Sequence, residues 1–458
     1  MANIYDAIVK GGLVVSGQGI KRQDIAISKG KILKMSSDIK ANEAQKLIDA
    51  TGKYVLPGII DVHVHPGIVN PDAQLPLSTY VDSLENVTMV GAYGGTTTMI
   101  FHIHAKPGIQ LTENIKRVTD EGRATSYLDF GIHASMLNTK DQIKDIPKCV
   151  KMGVNSFKMF MTYAKQKMMT DDYYLAKAMD TVSQCGGLAI VHAEDGLSID
   201  YLEDKYLSFP QKEVFLKQRP GALEADAVFR AISIAEVVNC PIYIAHISAG
   251  RVMDPIRWAK ERGQTVYAET CTSYLALTDK DLQEKGPLAK IGPPLRTIQD
   301  NETLWKALKD GLIDVIATDH AAKDKRIDED FFKAGFGAPG AENLLTVTFQ
   351  KGVNEGRVDL CTLIRALTES PAKIFGLYPQ KGVLQESSDA DLVVFDPMQK
   401  HTITQKTQHS KATYTLYEGL ECIGIPVLTM QRGDVIVENM EVKSVRGHGT
   451  FLPTAIRK

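Results

Sequence analysis

Eight strand-length apolar runs, each followed by a longer stretch of helical period, constrain this chain more than any other feature. They are Ile59 to His65, Thr97 to His104, Ser126 to His133, Val154 to Phe160, Gly187 to Ala193, Pro241 to Ile247, Thr265 to Glu269 and Ile313 to Asp319. Alternation of this kind marks repeated βα units, and eight parallel strands close into a (β/α)₈ barrel. The span predicted for the barrel, residues 58–374, exceeds the ~250 residues typical of that architecture and leaves room for insertions. Short strands separated by Gly-containing turns precede it: Ala7 to Val9, Leu13 to Val15, Asp24 to Ser28 and Lys31 to Met35. Strand character returns at Asp391 to Phe395 and Val435 to Val437. The two ends, 1–57 and 375–458, are therefore expected to build one split β-sandwich domain beside the barrel.

Composition narrows the function classes. Across 458 residues, 53 Lys plus Arg nearly cancel 55 Asp plus Glu, so no basic field exists to hold nucleic acid or an anionic membrane surface. No apolar run reaches the roughly 18 residues of a membrane span, and the first residues lack the pattern of a signal peptide. A soluble, cytoplasmic protein is expected. The six cysteines show no CxxC spacing, which disfavours both a disulfide framework and a thiolate zinc site.

Chemistry concentrates at the strand ends. His63 and His65 are two apart in the first run, so their side chains share a face and can bind one metal ion. His192, His246 and Asp319 close later runs, at the barrel rim where the active sites of this architecture gather. A single histidine in an apolar strand is ordinarily a hydrogen-bonded core residue. Four of them with an aspartate at one rim point instead to a metal site.

Lys158, between Phe157 and Met159, is the least expected residue: an ammonium is costly to bury and has no lone pair for a metal. Three readings are open. Its stem is packed and its head reaches the barrel mouth beside Asp319; it is a Schiff-base nucleophile; or CO₂ carbamylates it, giving an anion whose two oxygens can bridge two cations. Beside so many metal-type ligands, the carbamate balances charge best.

Asp61-Val62-His63-Val64-His65, Phe157-Lys158, Val191-His192-Ala193-Glu194, His246 and Thr318-Asp319-His320, in this order, resemble the cyclic amidohydrolases, and within them the dihydropyrimidinase and hydantoinase branch. The likeness covers nearly the whole chain. It implies two Zn²⁺ per subunit, with His63, His65 and Asp319 on one, His192 and His246 on the other, and Lys158 as N6-carboxylysine between them. It further implies hydrolysis of 5,6-dihydropyrimidines or 5-substituted hydantoins to N-carbamoyl amino acids by a metal-bridging hydroxide. Asp319 would act as base and then acid. Tyr163, on the loop after the fourth strand, matches the tyrosine that donates to the oxyanion in hydantoinase-like members. A homotetramer is implied, a homodimer being the alternative, with Phe451 to Lys458 reaching a neighbour.

The chain also departs from that pattern. Gly292 stands where a serine is usual and Phe336 where an asparagine is usual, in two loops expected to hold the substrate imide. A second HxH, His102 and His104, ends the second strand; it reshapes the pocket or offers a third metal site. The His65-Pro66-Gly67 stretch lacks the arginine by which dihydroorotase-like members grip a carboxylate, which favours a neutral cyclic amide substrate. The rival readings are an allantoinase, a mononuclear deaminase with no need of Lys158, and a metal-free scaffold.

Overall fold

The computed structural model describes residues 4–67, 80–105 and 108–455. Eight parallel strands form one sheet in chain order: Ile59–Val64, Thr96–Ala105, Asp129–Met136, Ser156–Phe160, Leu188–His192, Ile242–Ile247, Val266–Cys271 and Val315–Ala317. The eighth meets the first through a parallel bridge between Val64 and His320 and a 2.7 Å bond from His65 N–H to the His320 carbonyl. All eight predicted runs are present. They were recognisable because strands covered on both faces need apolar side chains on both.

Helices pack outside, each set by local sequence. Leu111–Thr125 buries Leu111, Ile115, Val118 and Gly122, a stripe at helical spacing, and Gly122 leaves room for the Phe130 ring. Asp171 caps Asp172–Gln184 by accepting from the Tyr174 N–H at 2.9 Å. Inside the barrel, Ile60, Val62, Ile100, Leu188, Ile190, Tyr243, Val315 and Ala317 form a dry floor. At roughly 1.5–3 kcal/mol for each large apolar side chain buried, that floor fixes the strands on which the rim residues stand.

The chain ends build two further sheets. One orders Lys31–Ser36, Asp24–Ser28, Tyr5–Lys10 and Ala44–Asp49. The other runs from Glu441–Val442 through Asp434–Glu438, Glu421–Gln431, Leu392–Thr402, Tyr54–Pro57 and Leu13–Ser16 to Gly19–Arg22, so both ends contribute to it. Val9, Ile25 and Ile27 pack with Val55, Leu392, Val394 and Met430 in a separate core. Lys381 ties these sheets to the barrel: its buried ammonium lies 2.6 Å from Asp129, 2.6 Å from Asp391 and 2.9 Å from Asp389.

The C-terminal segment is anchored through its backbone. Phe451 bridges to Phe130, the Leu452 N–H donates to the Phe130 carbonyl and the Thr454 N–H to that of Gly153, so this stretch packs on its own barrel, where backbone groups find partners. Ile456 to Lys458 lie outside the described residues.

Candidate metal centre at the barrel rim

The first strand supplies three groups. Asp61 is fully buried and accepts from Thr318 Oγ1 at 2.5 Å and from the Thr318 N–H at 3.2 Å, which ties the first strand to the eighth. Burial lifts its pKa to about 6 against these bonds. His63 directs Nδ1 to Glu269 Oε1 at 2.6 Å, leaving Nε2 to face Asp319 Oδ1 at 3.4 Å. His65 Nε2 lies 3.1 Å from the same oxygen. Ligand atoms of His63, His65 and Asp319 all fall within 4.8 Å of one another.

Burial depresses His65 to a pKa of about 4, only partly opposed by Asp319. Burial pushes Asp319 upward, but the neighbouring His63 and His65 hold it at about 2. The state that stands at neutral pH is a neutral His65 beside an ionised Asp319, the protonation that metal binding needs.

Lys158 is 1% exposed and its Nζ lies 3.3 Å from His246 Nε2. That burial excludes a head reaching out to solvent, and no carboxylate pairs with it among the described residues. Burial lowers its pKa to about 8, against the pull of Glu269 and Asp319, so a fraction of the amine is neutral and nucleophilic near neutral pH. His246 and His192 complete this side, their ring centroids 4.4 Å apart. His192 engages Glu194 through Nε2 at 2.7 Å, which leaves Nδ1 for another partner. The buried Nδ1 of His65 and that of His246 have no hydrogen-bond partner.

Supporting residues went unrecognised in the sequence. Glu269 accepts from His63 Nδ1, from Tyr243 Oη at 2.8 Å and from the His246 N–H at 2.8 Å, so one carboxylate orients residues of two strands. Glu194 is held at about 2, burial opposing and Arg219 prevailing, with Arg219 Nη1 2.9 Å away. The only sequence signal for Glu269 was an acid at the end of an apolar run, while Glu194 closes the Val191-His192-Ala193-Glu194 motif with no role of its own read there.

Tyr163 packs edge-on to His192, with ring centroids 5.2 Å apart, and lies under the Arg219 guanidinium at 5.4 Å. Burial raises its pKa, keeping the phenol protonated as a donor. A Cβ on Gly292 would stand 2.9 Å from Tyr163 Oη and 3.0 Å from the Phe336 ring. The two departures are thus one change: Phe336 fills space that a larger residue at 292 would need. Backbone strain gathers here as well. Tyr163, His246 and Asp319 have φ of 66°, 40° and 50°, in the left-handed region that costs a non-glycine residue of order 1–3 kcal/mol.

The second HxH lies against the first. The His102 ring centroid is 4.1 Å from that of His63 and 4.6 Å from that of His133, and that of His104 is 5.2 Å from that of His65. Their nitrogens are not among the described ligand atoms that converge at the rim. His133 is a bonded core histidine, with Nδ1 2.5 Å from Ser156 Oγ and Nε2 3.1 Å from the Val62 carbonyl.

Comparison with known proteins agrees with this geometry. Residues 54–436 match the model of the amidohydrolase family. The D-hydantoinase of Ralstonia pickettii is 36% identical over 98% of each chain, and that of Rhizobium radiobacter 37% identical over 94% of this chain and 95% of its own. Among solved structures, a dihydropyrimidinase from Brevibacillus agri NCHU1002 superposes with a TM-score of 0.92 at 30% identity, covering 98% of this chain and 99% of that one. An L-hydantoinase (dihydropyrimidinase) from Arthrobacter aurescens superposes at 0.91 with 32% identity, covering 98% and 100%.

Proposed function

The chain belongs to the amidohydrolase family, and from that membership we propose that it hydrolyses a cyclic amide, a 5,6-dihydropyrimidine or a 5-substituted hydantoin, to an N-carbamoyl amino acid. Four imidazoles, a buried lysine and an ionised aspartate at one barrel rim carry this reading. They fit a pair of divalent cations: the imidazoles are neutral or have an unengaged nitrogen, and His65 and His246 each keep a buried nitrogen without a partner. His63, His65 and Asp319 would hold one Zn²⁺, His192 and His246 the other.

Lys158 would bridge the two as a carbamate. The ammonium first gives up one proton; the freed nitrogen lone pair then forms a bond to the carbon of CO₂ as one C=O π pair moves onto oxygen, and a second N–H proton leaves, so that a buried cation becomes an anion suited to paired cations. When bound, the cations supply a water ionised near neutral pH and polarise the substrate carbonyl. Asp319 accepts the proton released during attack and returns it to the departing ring nitrogen, so one carboxylate serves both halves of the reaction. Tyr163 donates its phenolic O–H to the oxygen that gains negative charge. Gly292 and Phe336 shape the pocket wall beside that phenol.

A homotetrameric, cytoplasmic enzyme is part of the same reading; among the described residues no helix is long and apolar enough to cross a membrane. Light scattering of the purified protein tests the assembly. The activity is tested by supplying the zinc-loaded protein with dihydrouracil, 5-substituted hydantoins and allantoin. Ring opening of the first two is expected. Turnover of allantoin alone would assign the chain to a different branch, and no turnover by protein that retains zinc would end the proposal.

A further inference from the structure

Lys323 is 6% exposed, and its buried Nζ has no hydrogen-bond partner. It lies 3.8 Å from the centre of the Tyr80 ring, whose centroid is 5.6 Å from that of His65. The loop that carries it follows Asp319 and is pinned on two sides. The Ala321 N–H donates to the Ala338 carbonyl at 2.9 Å, and the Val81 N–H to that of Ala322 at 3.0 Å. Its ammonium thus lies against Tyr80, a neighbour of His65, on a loop whose backbone is fixed. His104 approaches His65 from the second strand, and its Nε2 is likewise buried and without a partner.

An ammonium sealed from water needs a counter-charge, and the ring face of Tyr80 is only part of one. Among the described residues no carboxylate supplies the rest. Burial alone pushes the Lys323 pKa down to about 7, and a bound anion would reverse that. An orphaned ammonium on the Tyr80 ring, itself a neighbour of His65, and an orphaned imidazole nitrogen beside His65 match an anionic arm on the reacting ring.

We propose that Lys323 and His104 form an anion-recognising corner of the substrate pocket, so that the preferred substrate is a cyclic amide whose ring substituent ends in a carboxylate. This rests on the reading of the chain as a cyclic-amide hydrolase. It revises, for the substituent, the uncharged substrate inferred from the missing arginine after His65. The ring stays neutral, and the cation enters from the loop after the eighth strand. Lys323 supplies the charge, and His104 Nε2, as an N–H, supplies a directional hydrogen bond to the second oxygen.

The test compares 5-methylhydantoin with 5-carboxymethylhydantoin and 5-(2-carboxyethyl)hydantoin in the wild type, K323M and K323R. Calorimetric binding of N-carbamoyl-aspartate and N-carbamoyl-alanine to the same three proteins is measured alongside. The wild type should favour a carboxylated substrate by about tenfold or more in kcat/KM, a ratio K323M abolishes and K323R largely keeps. The binding preference for N-carbamoyl-aspartate should follow the same order. A wild-type ratio near one, or a ratio and binding preference unchanged in K323M, overturns the corner. If no hydantoin is opened, it is the hydrolase reading that fails, while the binding preference still decides whether Lys323 receives a carboxylate.

Discussion

Lys158 Nζ and His246 Nε2 face each other at 3.3 Å inside a barrel whose interior excludes solvent, with no carboxylate among the described residues bonded to the amine. Two nitrogens in that position favour a cation between acceptors once the amine has become an anion. K158A is expected to lose bound zinc and at least about a thousandfold in activity, roughly 4 kcal/mol. Intact-mass measurement under native conditions should find one CO₂ on the wild type and none on K158A; wild-type protein that binds two zinc ions with an unmodified lysine would refute the bridge.

Glu269 is the shared anchor of His63 and His246. E269Q should weaken zinc binding by about 10- to 100-fold, measured by competition with a chelator. An unchanged zinc affinity would show that the imidazoles keep their orientation without the carboxylate.

Y163F should keep its zinc and lower kcat by about a hundredfold, near 2.7 kcal/mol, because the phenol contacts only the charge that develops during reaction. A rise in KM at constant kcat would instead make Tyr163 a binding residue.

Gly292 and Phe336 form a matched pair. G292S places a side chain against Tyr163 Oη and the Phe336 ring and should reduce kcat/KM by about tenfold, some 1.4 kcal/mol. Adding F336N should recover most of the loss. If the double variant is no better than the single one, the two positions are not coupled.

Lys381 controls stability at high pH. Burial disfavours its ammonium, but Asp391, Asp129 and Asp389 override that and raise its pKa above the ordinary 10.5. The stabilisation is full below 10.5 and fades as pH climbs through the higher folded-state value. K381M, which leaves the buried Asp391 without a cation while Asp129 keeps Arg432 and Asp389 keeps Lys31, should cost about 3–5 kcal/mol in chemical denaturation at neutral pH. The difference between the two proteins should shrink only above 10.5; a difference that vanishes already near neutral pH would contradict the raised pKa.

The barrel was legible because its strands are apolar on both faces, and Lys158 because a cation interrupts such a strand. Glu269 and Arg219 were not: their partners His63 and Glu194 are brought to them by barrel closure and by a long intervening helical segment. In the small sheets, Ala44–Asp49 and Gly19–Arg22 are largely exposed and lack the alternation that betrays a half-buried strand, so pairing rather than pattern defines them.

The left-handed backbones at Tyr163, His246 and Asp319 bear on how this protein can be engineered. Glycine or asparagine at any of them would relax the main chain and delete a reacting or ligating group in the same step. Libraries ranked by heat resistance alone will therefore enrich inert descendants, and selection for robustness has to be interleaved with selection for turnover.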